Sequence, residues 1–179
     1  MWALIIIAVI AVYAIFTYNA LVGLRVRVQN AWSDTDVQLK RRHDLVPNLV
    51  ETVKGYASHE KGTLEAVISA RSKAMSAQGP AERAQAENML TGALKSMFAL
   101  SEAYPQLRAA ENFTTLQSQL SSLEDAIQNA RRYYNAVVRD LNTRIHQFPS
   151  NFVARAGGFR EQDFFELEEG ERAVPKVSF

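Results

Sequence analysis

No cysteine occurs anywhere in the 179 residues, which excludes disulfides, thiolate metal sites and thiol nucleophiles together. Such a chain fits a reducing compartment. Neither sign of charge prevails: 20 Lys and Arg against 19 Asp and Glu leave a formal net charge of +1. No basic face dominates, so nucleic acid is not an expected partner. Glycine is too sparse and too scattered to build a phosphate-cradling loop or the glycine-flanked turn of a serine hydrolase. Only three histidines are present. His59-Glu60 begins like a metalloprotease helix, but Thr63 stands where the second zinc-binding histidine would have to be, one helical turn on. His43 and His146 have no ligand set at helical spacing around them. The expected cofactor and metal content is therefore none, and no catalytic residue is assigned.

The first 24 residues lack charge altogether. As a helix, residues 2–24 would reach about 35 Å, and a hydrocarbon core of about 30 Å needs about 20 residues. Trp2 and Tyr18 stand where interfacial aromatics belong. A cleaved signal peptide would need a basic start and a shorter apolar core, and no Lys or Arg precedes Arg25. An uncleaved anchor in the lipid bilayer is expected. Arg25, Arg27, Lys40, Arg41 and Arg42 follow the span, so the positive-inside rule places the N-terminus outside and the bulk of the chain in the cytoplasm.

After the anchor, roughly 155 residues remain, enough for one domain with a core. Residues 25–77 are helix-rich, and the span can run on as one helix to about Arg42. Pro47 is expected to kink or restart it, with Asp44 as the new N-cap. Leu45, Leu49, Val50, Val53 and Ala57 make one apolar face, which Leu64, Val67 and Ile68 resume. Gly79-Pro80, with Glu82 behind it, reads as a turn and a helix start, and Pro105 ends that helix near Tyr104.

The strongest pattern follows. Phe113, Leu116, Leu120, Leu123, Ile127, Ala130, Tyr134, Val137 and Leu141 alternate three and four residues apart without a miss, a heptad seam that demands a long partner. No stretch alternates with period two. The fold class expected is all-α: an N-terminal transmembrane helix over residues 1–24, then a long antiparallel helical bundle with coiled-coil-like packing over residues 25–149. Residues 150–179 form a Phe-rich acidic tail, in which Glu161, Asp163, Glu166, Glu168, Glu169 and Glu171 carry six negative charges with no intervening cation. Such a cluster reads as a solvated terminus, while Phe148, Phe152, Phe159, Phe164 and Phe165 offer a means of docking it.

One polar stretch stands out beyond the membrane: Asp34, Asp36, Lys40, Arg41, Arg42, His43 and Asp44. Most simply it is a charged helix surface with weak i, i+4 pairs. The candidate interaction surface is Val28, Trp32, Asp36, Leu39, Lys40, Arg41 and Arg42, with the apolar members open for self-association and mixed charges setting register.

Residues 18–71, from YNALVGL to VISAR, resemble the start of the LemA family domain. So do SEAYPQLRAAENFTTLQSQLSSLEDAIQNARRYYNAVV, FPSNF and the GF…FFE tail, so that the resemblance extends nearly to Glu166. Departures are small: Val26 where the family tends to have Asn, Asp34-Thr35 for Gln-Ile, and Leu141 for a Tyr. The resemblance implies a membrane-anchored, all-helical protein with a short external N-terminus and a cytoplasmic domain. It supplies no catalytic residue and no agreed activity. The expected function is a single-pass inner-membrane scaffold that forms homo-oligomers and binds other membrane or cytoplasmic proteins. The alternatives are a regulatory adaptor of a membrane protease or sensor, and an enzyme using Asp36, His43, Glu51 and His59 inside the bundle.

Overall fold

The computed structural model describes residues 1–166, and all regular structure among them is helical. In order these are α1 (Trp2–Tyr56), α2 (Lys61–Ser76), α3 (Gly79–Ala103), α4 (Pro105–Arg108), α5 (Glu111–His146) and α6 (Ser150–Ala156). The chain divides into two compact units. The first comprises Met1–Asp36 with Asn129–Phe164, and the second Val37–Gln128 with residues 165–166 of the described chain.

Within the second unit, α1 does not restart at Pro47, contrary to expectation; the helix runs through it to Tyr56. Proline has no amide hydrogen to give to the carbonyl four residues back, that of His43. Arg71 of α2 supplies the missing donor: its Nε–H bonds the His43 carbonyl oxygen at 2.7 Å. A buried carbonyl left unmet would weaken the helix there; one filled from outside lets it continue. Asp44 is accordingly exposed within the helix and caps nothing.

The break comes instead at residues 57–60, which separate α1 from α2. His59 and Glu60 lie in this turn and not on a helix. His59 is exposed, and Glu60 accepts a hydrogen bond from the Tyr104 hydroxyl at 2.9 Å, which pushes the phenol pKa up. Gly79 has φ +73°, a left-handed turn that favours glycine, and α3 starts there. Glu82 reaches back to accept the Gln78 amide at 3.0 Å, tying off one free donor of the first turn. The two-residue connection folds α3 back along α2. Leu49, Val53, Leu64, Val67, Leu90, Met97, Phe113 and Leu120 form the core, while Ile68, expected on that face, is exposed.

Within the first unit, α5 runs antiparallel to α1. The Trp32–Tyr134 ring pair at 5.4 Å marks the register, and a shallow groove between the two helices is lined by Asn19, Gly23 and Arg27 of α1 and by Arg139, Thr143 and the nearby Gln147. All nine seam residues of α5 are buried or partly buried along the helix. Residues 160–164 are laid on α5 by hydrogen bonds. Asn142 and Gln162 exchange two at 2.9 Å each, and Tyr134 donates its hydroxyl to the Asp163 carbonyl at 2.9 Å. Burial, with the Asp163 charge beside it, pushes the Tyr134 phenol up to about 12.

The tail expectation divides. Residues 150–156 form α6, and Phe159 and Phe165 are buried, whereas Phe148 and Phe152 are exposed and Phe164 is 37% exposed. Of the acidic cluster, Glu168, Glu169 and Glu171 lie outside the described residues. Within the apolar N-terminal stretch, Thr17 and Leu21 are buried by the chain itself.

Candidate functional site

The polar stretch after the membrane turns out to face two ways. A helix advances about 100° per residue, so neighbours in sequence point apart. Lys40 and Arg41 are exposed, while Arg42 and His43 are buried. Val28 and Leu39 are buried and Trp32 and Asp36 half-buried. The expectation that Val28, Trp32 and Leu39 form an open apolar surface is therefore corrected: these side chains fill the chain's own interior, and Trp32 packs on Tyr134. Of the seven candidates, only Lys40 and Arg41 remain fully available to a partner.

Arg42, 2% exposed, is the centre of what the structure brings together in the second unit. Its Nη1 donates to Glu124 Oε2 at 2.7 Å and to Thr91 Oγ1 at 2.9 Å, and its Nη2 donates to the Glu87 carboxylate. Glu87, 3% exposed, uses its other oxygen for His43, whose Nε2 lies 2.7 Å away. An ionised carboxylate only accepts, so His43 presents Nε2–H to it. Glu87 and Thr91 stand four apart on one face of α3, Arg42 and His43 come from α1, and Glu124 from α5. Three helices are thus joined through one guanidinium.

Electrostatics hold Glu87 ionised. Burial pushes the Glu87 carboxyl up, but the His43 hydrogen bond and the Arg42 charge and hydrogen bond together outweigh it, so its pKa falls below the ordinary value. Glu87 is therefore a committed anion, not an acid or base poised near neutrality. Removing either partner would strand a buried charge, a loss of about 3–5 kcal/mol.

Beside this centre lies a groove of about 460 Å³. Leu94, Phe98 and Leu120 line its apolar part, and Lys95 and Gln117 are among its polar residues. The residues expected to gather for an enzyme do not all do so. Glu51 is exposed beside Lys54 at 3.8 Å, and His59 faces solvent in its turn. Among the described residues, no three of His, Asp and Glu converge as a metal site.

Sequence reasoning missed Glu87, Thr91 and Glu124. A signal was present: Glu87 occupies an interior position between Ala84 and Leu90, where α3 otherwise presents Leu94 and Met97. An acid on an apolar face calls for a buried cation.

The sequence model of the LemA family matches residues 31–179. The chain belongs to the LemA family. Protein LemA of Metamycoplasma hominis is 28% identical over 158 residues, covering 86% of this chain and 71% of the relative. A magnetosome protein, MamQ 2 of Paramagnetospirillum magneticum, is 25% identical over 195 residues, covering 92% and 72%. MamQ of Magnetospirillum gryphiswaldense is 25% identical over 174 residues, covering 83% of this chain and 64% of its own length. With the one apolar helix long enough to cross a bilayer among the described residues, this LemA-family member is a membrane-associated helical protein.

Proposed function

We propose that this protein is a single-pass scaffold of the cell inner membrane, with its N-terminus outside and its helical body in the cytoplasm, that self-associates and binds other proteins without catalysing a reaction. The observation that carries the reading is the pairing of Arg42 with both Glu87 and Glu124. The buried polar groups are spent on holding three helices together, which makes a rigid body and commits the Glu87 carboxylate to its partners. The relatives named above carry no enzyme's name, in keeping with this. The arginines at 25 and 27 support the orientation.

Because Val28 and Leu39 are buried, self-association would use the opposite side of α1, where Val26 and Val37 are exposed. Single cysteines at Val26 and Val37 of the cysteine-free chain test it. Disulfide-linked dimers should form in native membranes at one or both positions and not at Gln78. Monomeric mass in mild detergent with no crosslink at either site would remove self-association from the reading. Crosslinking with mass spectrometry would then show whether partner proteins remain. A reporter active only in the cytoplasm, fused after Phe179, should give signal; signal from a periplasm-only reporter would reverse the orientation.

A further inference from the structure

The anchor poses a problem of length. Side chains of residues 2–16 are exposed or nearly so, while Thr17 and Leu21 are 2% and 0% exposed because the chain's own first unit covers them. Fifteen residues of helix reach about 22 Å, well short of the about 30 Å of a hydrocarbon core. A bilayer entered at Trp2 therefore extends past residue 17, to the level at which other parts of the first unit already lie against the helix.

What lies there follows from the register. Trp32 meets Tyr134, and counting back along the two antiparallel helices from that pair brings Phe148 to about the level of Tyr18, beside the groove that Asn19 and Gln147 share. The chain then forms α6 and returns to the anchor: the Phe159 ring meets Tyr18 edge-on at 5.5 Å and lies under the Arg25 guanidinium at 5.2 Å. Gly157 permits this approach, since a Cβ there would come within 2.7 Å of the Phe159 ring and 3.1 Å of Tyr18. The whole return is thus fastened to residues 18–25, where the apolar run gives way to charge.

Phe148 and Phe152 sit on this return 76% and 62% exposed, their rings paired at 6.0 Å. Arg25, Arg27 and Arg155 are exposed in the same unit. Exposed aromatics and exposed arginines on one unit match the headgroup boundary of a bilayer, with ring bodies toward the acyl chains and guanidinium groups on lipid phosphates.

We propose that α6 with Phe148 and Phe152 is a second membrane contact, lying in the interface of the leaflet that faces the folded part, at the level where the first unit already covers one side of the anchor. This rests on the anchor reading of residues 2–24, and the test separates the two. Spin labels are placed on single cysteines at Phe148, Phe152, Val12 and Gln78 of the full chain in vesicles of phosphatidylcholine and phosphatidylglycerol. Accessibility to oxygen, which partitions into lipid, is compared with that to a water-soluble nickel complex. The oxygen-to-nickel ratio at 148 and 152 should exceed that at Gln78 several-fold and stay below that at Val12. A ratio at both sites equal to that at Gln78, with Val12 still shielded, overturns the proposal and leaves the anchor intact. Shielding from both relaxants with dipolar broadening between labels assigns the phenylalanines to a second copy and overturns it too. An aqueous ratio at Val12 removes the anchor and the proposal together.

Discussion

The two units are stabilised by different chemistry. The second has an apolar core of leucines, valines and alanines and a buried guanidinium with two carboxylates on it. In the first, aromatic pairs do more of the joining (Trp32 on Tyr134, Tyr18 on Phe159), and an extended segment is laid on α5 by separate hydrogen bonds, part-buried at Tyr134 and exposed at Asn142. A charged centre is an all-or-none device, since losing one member strands the others. Separate hydrogen bonds and ring pairs fail one at a time. The second unit should therefore respond to single substitutions far more steeply than the first.

Leu120→Asp tests the steep side hardest. Truncating a buried leucine already costs about 2–5 kcal/mol, and an unpaired carboxylate in its place costs more, against a total stability of about 5–15 kcal/mol. Far-UV circular dichroism should show the helical domain melting near or below ambient temperature. A parental melt would mean that the α5 seam faces solvent.

Arg42→Ala comes next, with an expected loss of about 3–5 kcal/mol, because Glu87 keeps only His43. Arg42→Met combined with Glu87→Leu should recover most of it. No recovery would show that packing, not charge, governs the centre.

Arg71→Met removes the donor to the His43 carbonyl, and about 1–3 kcal/mol should go with it. The same change in a Pro47→Ala background should cost much less, since alanine at that position restores an amide to the carbonyl. Additive effects would count against the compensation.

The Glu87 shift has a definite pH signature. With its folded pKa below the ordinary 4.5, its contribution is fully present above that value and is lost as pH falls through the folded one. Thermal melts of the parent and Glu87→Gln should differ most near neutrality and converge in acid. A gap that widened in acid would contradict the assignment.

Tyr134→Phe probes the shallow side. It deletes the hydrogen bond to Asp163 while keeping the ring on Trp32, and should cost only about 0.5–1.5 kcal/mol. A loss as large as that of Arg42→Ala would erase the contrast between the units.

Much of the fold was legible in the sequence because helical periodicity is local. The nine-residue seam of α5, the Gly79-Pro80 start of α3 and the apolar anchor each declare themselves within a few turns. The buried centre was not legible because its logic is distant. Arg42 sits in a run with Arg41 and His43 that reads as a wet surface until Glu87, 45 residues on, is known to face it. Pro47 misled for the same reason: proline breaks a helix unless another element fills the carbonyl, and the filler is on α2. The exposed Phe148 and Phe152 against the buried Phe159 and Phe165 could not be sorted by type, since all four are the same residue.

The pairing of Pro47 with Arg71 carries a consequence for inheritance. Arginine at 71 answers a vacancy that only proline at 47 creates. Where a descendant acquires any other residue at 47, selection on 71 relaxes, and that arginine is free to drift. The order is constrained as well: loss of Arg71 first passes through a weakened helix, whereas loss of Pro47 first does not. Substitutions at 71 should therefore accumulate on lineages that have already replaced Pro47, a one-way dependence between two positions 24 residues apart.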